Sequence, residues 1–363
     1  MPHHVQREIR YNFEYQRRLK ACFIGAGGHA YRNVYPTFRY APVDLVAICD
    51  LSKERADGFA EVFGAERTYT DHKAMLAAEK PEVVFIVTTY TPEGRVQATQ
   101  LAIDAVEAGA DVWMEKPTAA SRAEIEELMA ASQRTGRTIM TGLKKTFFPA
   151  IEKLKDIISA PEFGRLSSLV VRYPQSLPPA ADRLSLNAMK SFVDHIYHPG
   201  AILSYLGGEI ERASFEWEPV NGATVAMLRF KSGAIGTLHL AAGASGSSPL
   251  ERVEAIGEGA NAVVENSVKL IHYRKAKLPS YGRAASWIQP DDNAALIYEP
   301  EFSLGQLYNN NMFTLGYVPE VLHFCEAVLE GKPISKGTLA TSLEIMKLYD
   351  FYANTKEGVS ASL

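Results

Sequence analysis

Residues 19–30 read Leu-Lys-Ala-Cys-Phe-Ile-Gly-Ala-Gly-Gly-His-Ala, and this stretch decides the fold. An apolar run of strand length leads directly into a GxGxxA pattern at the start of a helix. Gly25 permits a tight turn, Gly27 lets the backbone approach a pyrophosphate, and Ala30 allows close packing of helix on strand. The pattern predicts a βα unit that binds a dinucleotide. The predicted contacts in this loop are Gly25, Ala26, Gly27, Gly28, His29 and Ala30.

Further apolar runs alternate with helical patterns up to residue 142. These runs cover residues 45–49, 83–87, 111–114 and 138–140. Such alternation is typical of βαβ units and of a parallel sheet buried on both faces. Right-handed crossovers then give a doubly wound arrangement. We therefore expect an N-terminal leader at 1–18 and an α/β Rossmann domain over 19–142.

The pattern changes after Gly142, because strand-like segments no longer alternate with helices. Helices are expected at about 150–159 and 192–206, and two more within 319–355. The expected strands lie at 165–173, 213–220, 224–231, 236–242, 252–257, 262–265 and 268–273. Consecutive strands joined by Gly and Ser turns predict an α+β domain with an open, mainly antiparallel sheet over 143–363. Residues 276–311 are expected to form a long irregular loop.

The end of the second strand indicates which cofactor the loop binds. Asp50 stands there, where a carboxylate accepts hydrogen bonds from an adenosine ribose. The same carboxylate repels a 2′-phosphate, which favours NAD over NADP. Ser52, Lys53 and Arg55 follow closely and are able to hold such a phosphate, so NADP stays open as the less favoured cofactor. Thr88, Thr89 and Tyr90 follow the apolar run at 83–87 and are expected to contact the nicotinamide ribose.

Composition excludes several classes of protein. The 38 Lys and Arg against 42 Asp and Glu give a net charge of −4, which argues against a nucleic-acid partner. No stretch reaches the roughly 18 to 20 apolar residues of a membrane span. The 3 cysteines form no CxxC, and the first residues lack the apolar segment of a signal peptide. We therefore expect a cytoplasmic protein without nucleic-acid or membrane partners.

The order of these motifs with Glu115-Lys116-Pro117 and with Asp194 four residues before His198 resembles a known family. It is the Gfo/Idh/MocA (glucose-fructose oxidoreductase, inositol dehydrogenase, rhizopine catabolism) family of NAD(P)-dependent oxidoreductases. The resemblance implies hydride transfer between nicotinamide and a secondary alcohol of a sugar, cyclitol or sugar derivative. It implies that Lys116 and His198 flank the reacting carbon and that the Lys116–Pro117 bond is cis. It also implies a homodimer or homotetramer formed through the C-terminal sheet.

Physical chemistry favours the same roles for these residues. An alcohol that loses hydride must also lose its hydroxyl proton, and histidine suits the general acid/base because its pKa lies near neutrality. Asp194 and His198 are at i and i+4 of a predicted helix, so the carboxylate can orient the imidazole. Lys116 follows the carboxyl end of a parallel strand, where ligands bind, and its ammonium stabilises a developing alkoxide.

The remaining site residues are assigned as follows. Glu115, Lys116 and Pro117 are expected beside the cofactor. The expected substrate contacts are Lys116, Lys145, Arg172, Tyr197 and His198. His195 and His198 with Asp194 resemble metal ligands, but no further His or Cys lies close by in the sequence, so no metal is expected.

Two other functions remain open from the sequence. The first is a lyase or glycosidase that oxidises a hydroxyl transiently with bound NAD, so that an adjacent bond can eliminate. The second is a non-catalytic, cofactor-sensing protein. Lys116, Asp194 and His198 are all present, which argues against the second.

Overall fold

The computed structural model describes residues 10–275, 294–299 and 311–363. Contacts divide the chain into two compact units, with a boundary after Gly142. The first unit also includes Tyr317–Leu339, which departs from the expectation of one continuous second domain over 143–363. The reason is packing, because the ring of Phe324 lies 5.8 Å from the ring of Phe85 in the first sheet.

The first unit contains a six-stranded parallel sheet. Its strands are β1 (Leu19–Ile24), β2 (Val43–Cys49), β3 (Arg67–Tyr69), β4 (Val83–Ile86), β5 (Asp111–Glu115) and β6 (Ile139–Gly142). Their order is β3-β2-β1-β4-β5-β6, and every neighbouring pair is parallel. The predicted Rossmann fold is confirmed. β3 was not predicted, because its three residues carry no apolar run.

Helices connect these strands and continue into the second unit. They are α1 (Lys53–Phe63), α2 (His72–Glu79), α3 (Ala98–Glu107), α4 (Arg122–Thr135), α5 (Pro149–Ser159), α6 (Leu186–Gly207), α7 (Asn311–Thr314), α8 (Tyr317–Glu330) and α9 (Leu339–Asn354). The helical segment after the glycine loop is irregular, with a π-helical turn at Ala30–Val34 and a 3₁₀ turn at Tyr35–Arg39. No helix in the described part of the chain is long and apolar enough to cross a membrane.

The second unit is built on a nine-stranded mixed sheet. Its strands are β7 (Ser168–Tyr173), β8 (Ile210–Trp217), β9 (Thr224–Phe230), β10 (Ile235–Leu240), β11 (Arg252–Ile256), β12 (Asn261–Glu265), β13 (Lys269–Tyr273), β14 (Leu296–Tyr298) and β15 (Ala361–Ser362). Their order is β14-β13-β12-β11-β7-β10-β9-β8-β15. Of these described strands only β7 and β10 pair in parallel, so the predicted, mainly antiparallel sheet is confirmed. β14 lies within the expected loop at 276–311, most of which is outside the described residues.

Helix α6 carries Asp194 and His198 and packs against β7. It begins at Leu186, earlier than expected, because the Ser185 hydroxyl accepts a hydrogen bond from the Ala188 amide at 3.4 Å and caps the helix. Buried and half-buried side chains alternate along β7, so that Tyr173 and Arg172 point to opposite faces of the sheet. The face of the sheet away from α6 exposes apolar side chains, including Val225 and Met227.

Candidate active site

The glycine loop has one glycine fixed by packing and one that packing does not explain. Gly25 has φ +114°, and a Cβ there would lie 1.9 Å from the Val87 carbonyl oxygen, so the neighbouring strand requires glycine. A Cβ on Gly27 would meet nothing within 4 Å, and the backbone conformation of Gly27 is one that other residues adopt. Ala30 is fully buried. The space beside Gly27 therefore fits a ligand such as a pyrophosphate.

Asp50 is already oriented at the edge of this loop. Its carboxylate accepts hydrogen bonds from the amides of Ala26 and Ser52, both at 2.8 Å, and from the Arg55 guanidinium at 2.7 Å. Burial acts to raise the pKa of Asp50, but the bonds from Ser52, Ala26 and Arg55 outweigh it and hold that pKa below its usual value. The carboxylate therefore stays ionised, as an acceptor for ribose hydroxyls must be.

The segment after β4 offers a second polar contact. The Thr88 hydroxyl oxygen is buried and has no hydrogen-bond partner among the described residues. A buried hydroxyl without a partner costs free energy, which a ligand hydroxyl or amide would recover. Thr89 is exposed, and Tyr90 forms an isolated bridge with Val96. Thr88 therefore fits the predicted cofactor contact best of these three residues.

Glu115 joins the glycine loop to the Lys116 segment. One of its carboxylate oxygens lies 2.9 Å from His29 Nε2, and the other accepts the Lys116 amide at 2.7 Å. Asn33 Nδ2 lies 3.2 Å from His29 Nδ1, so the amide can donate to that nitrogen and leave the Nε2 proton for Glu115. Burial acts to raise the pKa of Glu115, but His29 and Lys116 lower it overall. His29, predicted as a cofactor contact, thus lies within ion-pair distance of Glu115.

The backbone around Lys116 has the geometry that the resemblance implies. The Lys116–Pro117 bond is cis, which confirms that expectation. Pro117 is buried and Lys116 is half-buried. A Cβ on Gly142 would lie 2.8 Å from a carboxylate oxygen of Glu115, so β6 passes close beneath Glu115 and limits its movement.

In the second unit, His198 lies in a polar and aromatic cluster. Its ring centroid is 5.7 Å from that of Tyr173 and 6.4 Å from that of His195. Burial raises the pKa of the Tyr173 hydroxyl, and the negative charges of Glu251 and Asp194 add to that effect. The His195 Nδ1 lies 2.9 Å from the Ser191 carbonyl oxygen and 3.8 Å from an Asp194 carboxylate oxygen.

Lys145, a predicted substrate contact, is engaged by an acid that the sequence did not indicate. Its Nζ lies 2.6 Å from both carboxylate oxygens of Glu251, on a side chain only 8% exposed. Burial lowers the pKa of Lys145, while Glu251 acts to raise it. Glu251 lies far along the chain from Lys145, so no local pattern could pair them. Tyr173 was detectable only as an aromatic residue at a strand end.

The other two predicted substrate contacts have different surroundings. Tyr197 is fully buried, which favours a role in packing. Arg172 lies on the face of β7 opposite to Tyr173, opposite His239 and Arg252 in register. The structure therefore does not bring Arg172 together with His198, and the substrate contacts of both residues stay predictions. Within residues 10–275, 294–299 and 311–363, no three His, Cys, Asp or Glu side chains form a metal site.

The fold and the glycine loop define a dinucleotide-binding oxidoreductase. Two family models match the chain, "Oxidoreductase family, NAD-binding Rossmann fold" over residues 19–143 and "GFO/IDH/MocA C-terminal domain" over residues 151–263. The chain belongs to the Gfo/Idh/MocA family of NAD-binding oxidoreductases, as its motifs predicted.

Named relatives include dehydrogenases of sugars and cyclitols. D-apiose dehydrogenase of Paraburkholderia graminis is 33% identical over 156 residues, which are 42% of this chain and 40% of that protein. The scyllo-inositol 2-dehydrogenase (NAD(+)) of Bacillus subtilis is 26% identical over 344 residues, 91% of this chain and 92% of that one. A structure of levoglucosan dehydrogenase with NADH and L-sorbose has a TM-score of 0.76 at 20% identity and covers 95% of this chain and 99% of that one.

Proposed function

We propose that this protein is an NAD-dependent dehydrogenase acting on a secondary alcohol of a sugar, cyclitol or sugar derivative. The open space beside Gly27, in a loop whose Gly25 and Ala30 are closely packed, carries the cofactor part of the proposal. The dehydrogenases of D-apiose and scyllo-inositol among its relatives support the substrate class. The ionised Asp50 and its position at the loop favour NAD over NADP.

The roles of the catalytic residues follow from their chemistry. NAD, which the loop at residues 25–30 and Asp50 would hold, would supply the acceptor for the hydride of the carbinol carbon. His198 takes the hydroxyl proton as general base and returns it in the reverse reaction. Asp194 favours the protonated imidazole by its negative charge, while the Lys116 ammonium stabilises the developing alkoxide. Glu115 positions Lys116 through the hydrogen bond to its backbone amide.

The test is reduction of NAD by the purified protein with a panel of sugars and cyclitols. We expect NADH formation with at least one substrate, and we expect the His198→Ala variant to bind NAD normally yet turn over at least about a hundredfold more slowly. His195→Ala, which changes a neighbouring histidine on α6, is the matched control and should keep most activity. Full activity in His198→Ala would contradict the assignment. Product from a glycoside without net NADH would favour the lyase or glycosidase mechanism.

We further propose that the protein self-associates through the open face of the second sheet. Val225, Met227 and Ile235 are 49%, 67% and 51% exposed there, which is typical of an apolar surface that a partner covers.

All three cysteines are buried thiols, which supports a reducing, cytoplasmic location.

A further inference from the structure

A buried ion pair lies beside the aromatic ring that contacts His198. The ammonium of Lys145 lies 4.6 Å from the ring centroid of Phe148 and 5.8 Å from that of Tyr173. Both oxygens of Glu251 lie within 2.6 Å of it, and the Glu251 side chain is only 19% exposed. The pair as a whole therefore carries no net charge, although a lysine alone would place a cation near Tyr173.

The hairpin between β12 and β13 fixes Glu251 in this position. Asn266 and Ser267 have φ of 48° and 58°, the left-handed conformation of a tight two-residue turn. The Asn266 side-chain oxygen accepts hydrogen bonds from the amides of Leu250 and Glu251, at 2.8 and 3.2 Å. The Ser267 hydroxyl donates to the Glu251 carboxylate at 2.9 Å. The carboxylate is thus held against Lys145 by the protein itself.

The pair is close enough to His198 for its charge to act on a substrate there. The Tyr173 ring centroid lies 5.8 Å from the Lys145 ammonium and 5.7 Å from the His198 ring centroid, so the ammonium is no more than about 12 Å from the His198 ring. A unit charge at that distance inside a protein changes the binding of another charge by several-fold to about tenfold. An uncompensated Lys145 would therefore attract an anionic substrate, and Glu251 cancels that attraction.

We propose that Glu251 is a specificity-determining residue that makes this site select uncharged sugars or cyclitols over their carboxylic acid derivatives. The inference rests on the proposed function, because it concerns the alcohol that reacts beside His198. Glu251 acts through Lys145, by neutralising its charge, and needs no contact with the substrate. A neutral residue in place of Glu251 should therefore favour acidic substrates, whereas a neutral residue in place of Lys145 should favour uncharged ones.

The experiment compares kcat/KM for matched pairs such as D-glucose with D-glucuronate and D-galactose with D-galacturonate, at pH 6 and at pH 8. The ratio of acid to neutral substrate cancels any effect on the chemical step that both substrates share. We expect wild type to have a ratio below one. Glu251→Gln should raise the ratio by about five- to tenfold at pH 6, and this increase should diminish at pH 8, because burial lowers the pKa of Lys145 and Glu251 is no longer there to raise it. Lys145→Met should lower the ratio, and the double variant should return near the wild-type value. Glu254→Gln, which changes a glutamate on β11 just after Glu251, should leave the ratio unchanged.

A merely structural role would lower both rates and leave the ratio constant. A constant ratio across the folded variants, or a wild-type preference for the acid, overturns the inference while activity on sugars still supports the proposed function. Absence of dehydrogenation with every substrate overturns both. If Glu251→Gln does not fold, the test compares Lys145→Met with the double variant. The inference then requires a higher ratio of acid to neutral substrate in the double variant than in Lys145→Met.

Discussion

Substitution of Gly27 by alanine should separate cofactor binding from folding. The new methyl group meets no atom of the protein within 4 Å, and the backbone conformation is open to alanine. Stability should therefore change by less than about 1 kcal/mol, with a small gain from the less flexible unfolded chain. The same methyl group occupies the space assigned to the pyrophosphate, and we expect NAD affinity to fall at least about tenfold, or ~1.4 kcal/mol.

Two other glycines calibrate this result. A Cβ on Gly25 would lie 1.9 Å from the Val87 carbonyl oxygen, at a φ that strains any L side chain, so Gly25→Ala should cost more than about 4 kcal/mol. Gly58 lies within α1 with open space around it, so Gly58→Ala should add up to about 1 kcal/mol of stability. Its NAD affinity should remain that of wild type.

Thermal unfolding with and without NAD measures both quantities in one assay. At a hundred times the dissociation constant, NAD stabilises a folded protein that binds it by about 2.7 kcal/mol. Wild type and Gly58→Ala should show that rise in Tm, and Gly27→Ala should show a smaller rise from an unchanged starting Tm. A full NAD-dependent rise in Gly27→Ala would refute the assignment of the loop as a pyrophosphate site.

Three further predictions concern charge and assembly. The Arg67 guanidinium lowers the pKa of Glu79 to about 2, so Glu79→Gln should lower the free energy of unfolding by no more than about 3 kcal/mol at neutral pH. Because the pKa of Glu79 is lower in the folded state than in the unfolded state, the difference between wild type and variant should shrink as the pH falls from about 4.5 towards 2. Urea unfolding over this pH range measures that difference. His29→Leu removes the contact with Glu115, so the factor by which kcat falls should exceed the factor by which the NAD dissociation constant rises. His29→Gln keeps a hydrogen-bond donor and should retain part of kcat. Equal losses of kcat in both variants would argue against a role for the contact. Met227→Asp places a charge on the exposed sheet face and should reduce the mass measured by light scattering to that of a monomer, whereas an unchanged mass would argue against this face.

The repeating pattern of the first unit made most of its fold predictable. Buried parallel strands are nearly continuous apolar runs, so β1, β2, β4, β5 and β6 could be located, whereas β3 is only three residues with no such run. The return of Tyr317–Leu339 to the first unit could not be read from the sequence. An amphipathic helix shows that it has a buried face, but not which sheet covers that face.

The positions of candidate site residues could be predicted where they depend on short sequence motifs at strand ends. Gly25, Asp50 and Lys116 occupy fixed places relative to strand ends, and a strand end can be recognised from sequence. Glu251 could not be found in this way, because its partner Lys145 is distant in the chain and an isolated glutamate at a strand start resembles any surface acid. The sequence also could not show that Arg172 and Tyr173 lie on opposite faces of the sheet, since that follows only once the strand register is known.

The return of α8 to the first unit limits how the chain can be cut or recombined. A fragment ending at Gly142 would lack Val321, Phe324 and Cys325, which are all buried, and would leave Phe85 without one of its aromatic neighbours. A chimera that exchanges the cofactor-binding half between relatives at this boundary would combine a helix from one parent with a sheet from the other. Inheritance of cofactor preference between such parents therefore requires two exchanged segments rather than one.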